Sequence, residues 1–404
     1  MTRNLPAFLF LNLGHAADHL FMLIFPTAVI ALQAEWHRPY GELLALGTLG
    51  FVAFGAGSLP AGWLGDRWSR TGMMTVFFVG IGLASALTGL ARTPFELAAG
   101  LTLIGLFASI YHPVGIALVV EDAVRTGRAL GVNGVFGNLG VAAAPLLTGA
   151  IAVALGWRAA FIVPGLLSVA AGIAYALVMR RRTPAAAAAP RLRAATAAAA
   201  PPPVDNGALL RVFAVSGVTA LCAGLVFNVV TVALPKLFEE RLDGLVAGLA
   251  AVGGVASAVF AVAALAQIVT GHLLDRYGAK WLLVGLTAAQ VPLLLLAGAA
   301  HGPPLLFVAV PLLLCVFGQI PITDWLVGRH ASAAWRSRVL ALKYVLVLGV
   351  SALAVPLVAT LHATGGGFAV LFVILAGAIG VVTVAALALP GGAPAPAPAR
   401  AATT

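Results

Sequence analysis

The chain has 404 residues, of which 61% are hydrophobic and only 9% charged, and it carries a formal net charge of +10. A soluble domain of this length cannot bury so much apolar surface, so the composition predicts an all-α integral membrane protein. The basic balance would suit nucleic acid in a soluble chain. Here the bases lie in short stretches between apolar runs, as cytoplasmic loops do, and nucleic-acid binding is set aside.

The first apolar run, near 8–32, is longer than the apolar core of a cleavable leader and contains His15, Asp18 and His19, so no leader is expected. Runs long enough to cross a bilayer, roughly 20 residues each, follow near 43–65, 72–91, 95–120, 129–154 and 158–179. Arg180, Arg181 and Arg182 then introduce an Ala/Pro-rich stretch with too little hydrophobic variety to build a core. It reads as a cytoplasmic linker over 180–207. A second series of six runs lies near 208–235, 247–274, 280–300, 303–328, 338–362 and 366–389, ahead of a similar tail at 390–404. The expected organisation is thus an N-terminal six-helix bundle over 1–179 and a C-terminal one over 208–389. Cys222 and Cys315 both fall inside apolar runs, which supports neither a disulfide framework nor a cysteine metal cluster.

Orientation follows from the bases. With both termini in the cytoplasm, only Arg38, Arg92, Arg158, Lys236 and Arg241 of the 23 lysines and arginines fall outside, and Lys343 lies within a run. The positive-inside rule therefore places both termini inside a bacterial-type plasma membrane.

One turn occurs twice. Gly62-Trp63-Leu64-Gly65-Asp66-Arg67-Trp68-Ser69-Arg70 joins the second and third runs, and Gly271-His272-Leu273-Leu274-Asp275-Arg276-Tyr277-Gly278 repeats its Gly, Leu, Asp and Arg spacing between the eighth and ninth. Parallel copies of one signal in an apolar chain point to two homologous helical halves. The turn resembles the signature loop of the major facilitator superfamily, with Ser69 where that family usually has Gly. The resemblance implies twelve transmembrane helices in two six-helix bundles, with helices 1, 4, 7 and 10 around a central cavity. It also implies that Asp66, Arg67 and Arg70, with Asp275 and Arg276 in the second copy, act as a conformational latch. Gly14 to His19, Phe25-Pro26 and Ile110-Tyr111-His112-Pro113 resemble the fosmidomycin-resistance type of drug exporter, although Val114 stands where that type places Glu. Gly137-Asn138-Leu139-Gly140 and Ala144-Pro145 resemble the antiporter motif of helix 5.

An ionisable group at lipid depth costs several kcal/mol unless it faces a cavity or a partner. His15, Asp18 and His19 stand at i, i+3 and i+4 and so share one helical face. At about 1.5 Å per residue, His15 lies roughly 10 Å from the cytoplasmic end, Asp18 about 15 Å, and His112 on the antiparallel fourth run about 12 Å. His112 can therefore meet the first-helix cluster, with Tyr111 beside it. Asp18, a carboxylate near the midplane, is suited to loading and releasing a proton as one unit with its histidines. Pro113 cannot donate to the carbonyl of Ser109, which permits a bend. Asp324 and Lys343 fall at similar depth near the inner surface and are expected to pair as a gate or a packing bridge. Asn228, on the seventh run, is a candidate substrate contact, whereas Asn133, Asn138 and Gln267 are expected to join helices.

The expectation is a secondary active transporter, most simply a monomer, exporting a small organic compound in exchange for protons by alternating access. Site residues are His15, Asp18, His19, Tyr111, His112 and Asn228. No cofactor is expected, the phosphate-binding Gly-x-x-x-x-Gly-Lys-Ser/Thr loop is absent, and no nucleophile with its base suggests an enzyme. One rival keeps the fold and carries a divalent or copper ion on His15, Asp18, His19 and His112. The other is a non-transporting membrane assembly factor or sensor.

Overall fold

The computed structural model describes residues 2, 4–124, 126–180, 206–242, 244–330 and 336–390. Most of the linker assigned to 180–207, the tail beyond Pro390 and the side chain of Asp275 lie outside the described residues. Apart from one bridge pairing Thr2 with Ala123, the described elements are helical. Twelve spans are long and apolar enough to cross a membrane: α1 Leu5–Trp36, α2 Tyr40–Arg67, α3 Arg70–Thr88, α4 Pro94–Asp122, α5 Arg128–Leu155, α6 Trp157–Arg180, α7 Leu209–Arg241, α8 Leu249–Leu274, α9 Ala279–Ala299, α10 Pro303–Val327, α11 Val345–Ala363 and α12 Gly367–Leu387. They alternate in direction, so Leu5 and Leu387 share one end, called here the terminal end. Trp36 and Arg241 share the other, the far end.

Local chemistry sets where the spans begin. Asn4 caps α1 by accepting from the amide of Ala7, with Pro6 in the first turn where no donor is required. Ser69 caps α3 through the amide of Gly72, and Thr93 caps α4 through that of Glu96. Several spans are interrupted. In α4, regular helix stops at Ala108 and a π-helical turn covers Tyr111–Gly115 before helix resumes at Ile116. Pro113 has no N–H for the carbonyl of Ser109, so the α ladder cannot run through, and a wider turn takes up the slack. α10 breaks at Gln319, just before Pro321, at the corresponding place in the second half.

Six spans gather in each half, and within each the contacts are dense: α1 with α5, α3 with α6 and α2 with α4, then α9 with α12, α8 with α10 and α7 with the helix leading into α11. The halves are joined chiefly by α5 with α8 and α2 with α11, and more lightly by α1 with α7 and α8. These seams rest on backbone meeting backbone. A methyl group added to Gly253 of α8 would lie 2.2 Å from the carbonyl oxygen of Pro145 in α5. Such approach is the usual way helices associate where lipid offers no hydrophobic driving force. Leu146 also donates its amide to Ser257 Oγ across the same seam at 2.9 Å. In α2, Gly41 packs on the carbonyl of Ala359 in α11. These contacts fall between mid-depth and the far end.

Candidate functional site

The polar residues of α1 meet those of α4 and α5 inside the N-terminal half. Asp18 is wholly out of solvent, and its Oδ2 lies 3.3 Å from Nε2 of His112. Two further imidazoles, His15 and His19, stand beside this pair: ring centroids are 5.1 Å apart for His15 and His19, 5.4 Å for His15 and His112, and 5.6 Å for His19 and His112. The spacing of His15, Asp18 and His19 puts them on one face, and the π turn of α4 brings His112 against it. One nitrogen of each of the three histidines lies within 4.8 Å of the others. Phe54 of α2 closes one side, 6.0 Å from the His112 ring.

A second layer holds these rings in place. His15 Nδ1 is 2.8 Å from the carbonyl oxygen of Asn133 on α5. A carbonyl only accepts, so Nδ1 carries the proton and Nε2 is left with its lone pair when the ring is neutral. The Asn133 side chain donates both to Tyr111 Oη at 2.8 Å and to Asn12 Oδ1 at 3.0 Å. Tyr111 in turn donates to the carbonyl of Leu11 and stacks on His15 at 4.9 Å between centroids. A methyl group on Gly137 would sit 2.6 Å from His15 Nε2, so only a glycine lets α5 pack this closely on that edge of the ring. Gly140, one turn on, lets α5 lie against the carbonyl of Ala16, where a methyl group would be 2.1 Å away.

A profile of the Major Facilitator Superfamily matches residues 11–260, more than half of the sequence. The chain belongs to that superfamily of membrane transporters. A multidrug resistance protein, MdtG, of Yersinia enterocolitica is 26% identical over 317 residues, 78% of this chain and 71% of that protein. A probable 4-methylmuconolactone transporter of Cupriavidus pinatubonensis is 32% identical over 163 residues, 38% of each chain. The chain thus matches well under half the length of that relative, and likewise 39% of the membrane sensor protein UhpC of Salmonella typhimurium. Among solved structures, a bacterial homologue of the human lysosomal transporter Spinster superposes with a TM-score of 0.70 at 13% identity, covering 95% of this chain and 93% of that one. The fold is that of the superfamily, and the relatives are not enzymes.

The signature loop of this superfamily member is tied within its own half. Arg70 donates to Asp66 Oδ1 from Nη2 at 2.6 Å and from Nε at 3.1 Å, and it also pairs with Glu121 at the end of α4. The loop therefore clamps α2, α3 and α4 together. Arg67 lies over the ring of Trp63, and Arg276 over that of Tyr277. On the terminal side of the second half, Lys343, on the helix Arg336–Ser351 leading into α11, lies 2.5 Å from Asp324 Oδ1 on α10. The amide of Asn228 donates to the carbonyl of Gly224, one turn back on its own span. Of the residues singled out from the sequence, His15, Asp18, His19, Tyr111 and His112 come together, and Asn228 stays on α7.

Asn133 joins helices as its sequence suggests, and it does so at the site, bonding the side chains of Asn12 and His15 on α1 and Tyr111 on α4. One feature escaped the sequence. The bases near the far end read as loop charges, yet Lys236 of α7 has only 6% of its side chain exposed. Its Nζ donates to Glu239 at 2.6 Å and, across the seam between halves, to Gln33 Oε1 of α1 at 3.2 Å. It also sits 5.3 Å from the ring centroid of Tyr40 on α2, and that ring meets His362 of α11 at 4.8 Å. His362 Nε2 lies 2.7 Å from Glu240 Oε1. The available signal was spacing: Lys236, Glu239 and Glu240 stand at i, i+3 and i+4, which makes one charged face of a buried helix.

Proposed function

We propose that this chain is a secondary active transporter that exports a small organic compound in exchange for protons across a bacterial-type plasma membrane. The observation that carries the reading is the Asp18–His112 pair: a carboxylate fully out of solvent, facing an imidazole from a different span. Charge at that depth is expensive unless it has work to do. A buried carboxylate and imidazole together can hold one proton in two places, and binding a cargo beside them changes how firmly that proton is held. By linkage, the proton then changes how firmly the cargo is held. His15, fixed by Asn133, and His19 offer hydrogen bonds to an organic cargo or a relay for the proton.

The gating follows from the same geometry. With the termini inside, the far end is the outer face, and the bundles meet there while the loops Asp66–Arg70–Glu121 and Asp324–Lys343 stand at the inner face. Alternating access then requires the outer interlock of Gln33, Tyr40, Lys236, Glu240 and His362 to part as the inner ends come together. Asp66, Arg67, Arg70, Arg276, Asp324 and Lys343 serve as latches that hold each half rigid during this rocking. Organic cargo and outward flux are supported by the multidrug relative and by a tetracenomycin C resistance and export protein of Streptomyces glaucescens, 27% identical over 177 residues. The likeness of α1 and α4 to fosmidomycin-resistance exporters points the same way. A monomer suffices, since the site lies within one chain.

The test is transport in proteoliposomes under an imposed pH gradient, screening lactones, aromatic antibiotics and sugar acids as cargo. Intact protein should move at least one class with counterflow of protons. Asp18→Asn and His112→Ala should lose gradient-driven transport while still exchanging cargo down its own gradient. Gradient-driven rates unchanged in both variants would remove the coupling site.

A further inference from the structure

We infer that His15, His19 and His112, with the Asp18 carboxylate beside them, form a binding site for a borderline divalent transition ion of the Zn2+ or Co2+ kind. Three nitrogens no more than 4.8 Å apart lie within about 2.8 Å of a common centre, against about 2.0–2.1 Å for a zinc–imidazole bond, so the rings close on an ion by shifts of under about 1 Å. Asp18 stands beside this set and not within it: its Oδ2 lies 3.3 Å from His112 Nε2, where its charge would balance that of a bound ion. Among the described residues both Asp18 oxygens are buried without a well-formed hydrogen bond. A buried carboxylate in that condition wants a cation, whether a proton or a metal.

The surroundings are those of a metal ligand. His15 gives its Nδ1 proton to the Asn133 carbonyl, which fixes the tautomer and presents Nε2 as a lone pair, the arrangement that outer-shell partners impose on metal-bound imidazoles. A donor set of three imidazoles, with a carboxylate beside it and no thiolate or thioether, selects Zn2+, Co2+ or Ni2+ over copper(I) and over the hard ions Mg2+ and Ca2+. The residues are those proposed above for proton coupling, but the inference rests on their geometry and not on that role. If both hold, metal and proton compete for Asp18 and His112, and the ion arrests the cycle.

The probe is Co2+ titrated into the purified full chain in detergent, with visible absorption and bound metal per chain as readouts. One Co2+ per chain is expected, with the intense bands of four-coordinate cobalt, displaced by Zn2+ and not by Mg2+. His19→Ala and His112→Ala should weaken binding at least tenfold, as should the milder Gly137→Ala, while His272→Ala, at an exposed histidine outside the cluster, should not. Thermal unfolding of each variant separates lost ligands from lost fold, and if His19→Ala fails to fold, His19→Gln replaces it. Absence of the bands, or equal affinity in the His19 and His272 variants, overturns the site. Metal binding without gradient-driven transport would leave this inference standing and sink the transport reading.

Discussion

Gln33→Met tests the outer interlock by removing the side-chain amide while roughly keeping the side chain's length. Gln33 Oε1 accepts from Lys236 Nζ at 3.2 Å across the seam between α1 and α7. The other polar partners of Lys236, Glu239 and Glu240, are on its own span and stay with it whichever way the halves rock. The substitution therefore takes away a bond that exists only when the far end is closed. A hydrogen bond to a charged group contributes about 1.5–3 kcal/mol, and at 3.2 Å the low end applies, so closure weakens by about 1–2 kcal/mol. That multiplies the ratio of open to closed far ends by about 5–30. Spin labels on cysteines at the exposed Arg92 and Thr364, one in each half, with Cys222 and Cys315 replaced by serine, report the separation by pulsed electron resonance. Gln33→Met should add a longer-distance population that the parent lacks or barely shows. Gln33→Glu, which puts a full charge opposite Lys236, should do the reverse and narrow the distribution. Indistinguishable distributions in both variants would refute the claim that this contact holds the far end shut.

Three further outcomes follow. Asp324→Ala leaves Lys343, 10% exposed, without its carboxylate, and truncating one partner of a buried pair costs about 3–5 kcal/mol, discounted here because Asp324 is 38% exposed. A drop in thermal midpoint is expected, largely restored by adding Lys343→Met, and a double variant no better than the single would sink the pairing. Gly140→Leu drives a side chain into the carbonyl of Ala16 and should yield little folded protein, measured as monodisperse material after extraction, whereas Gly217→Ala, where an added methyl group meets nothing, should be harmless. Arg70→Ala removes the contacts to both Asp66 and Glu121, so the inner ends of α2, α3 and α4 should loosen, read as faster amide exchange there with the far end unchanged.

How much of this could be read from residues alone depended on whether the signal was local. The spans were legible because twenty apolar residues in a row have one cheap solution in lipid, and their ends lie within a few residues of those expected except at α7, which runs on to Arg241, and α11, which begins only at Val345. The cluster on α1 was legible because i, i+3, i+4 spacing fixes a shared face, and the match in depth of His112 needed only helix rise and direction. What was not legible was azimuth. Asn133 and Asn228 are both amides in small-residue helices, and only the packed structure turns one to the imidazoles and the other back to Gly224. The interlock hid for a second reason: a lysine near a helix end ordinarily snorkels, and nothing local says that Gln33 and Tyr40 of the other half will cover it.

The placement of the two charge sets carries a constraint of its own. The Asp18–His112 pair lies within one half, while the Lys236 interlock lies between halves. A site confined to one rigid body cannot by itself drive two bodies apart, because a ligand shifts an equilibrium only by its difference in affinity for the two states. Coupling therefore needs a cargo or ion that touches both the cluster and the facing half, or a change in α1 that reaches Gln33 from Asp18, four helical turns away on the same span. α1 offers that path: it carries Asn12, His15 and Asp18 at the site and Gln33 at the seam, with Pro26 between them to let the two segments bend. Pro26→Ala should stiffen this link, lowering gradient-driven transport while leaving Co2+ affinity within about twofold. Equal loss of both would mean that Pro26 shapes the site itself and that the path between cluster and interlock runs elsewhere.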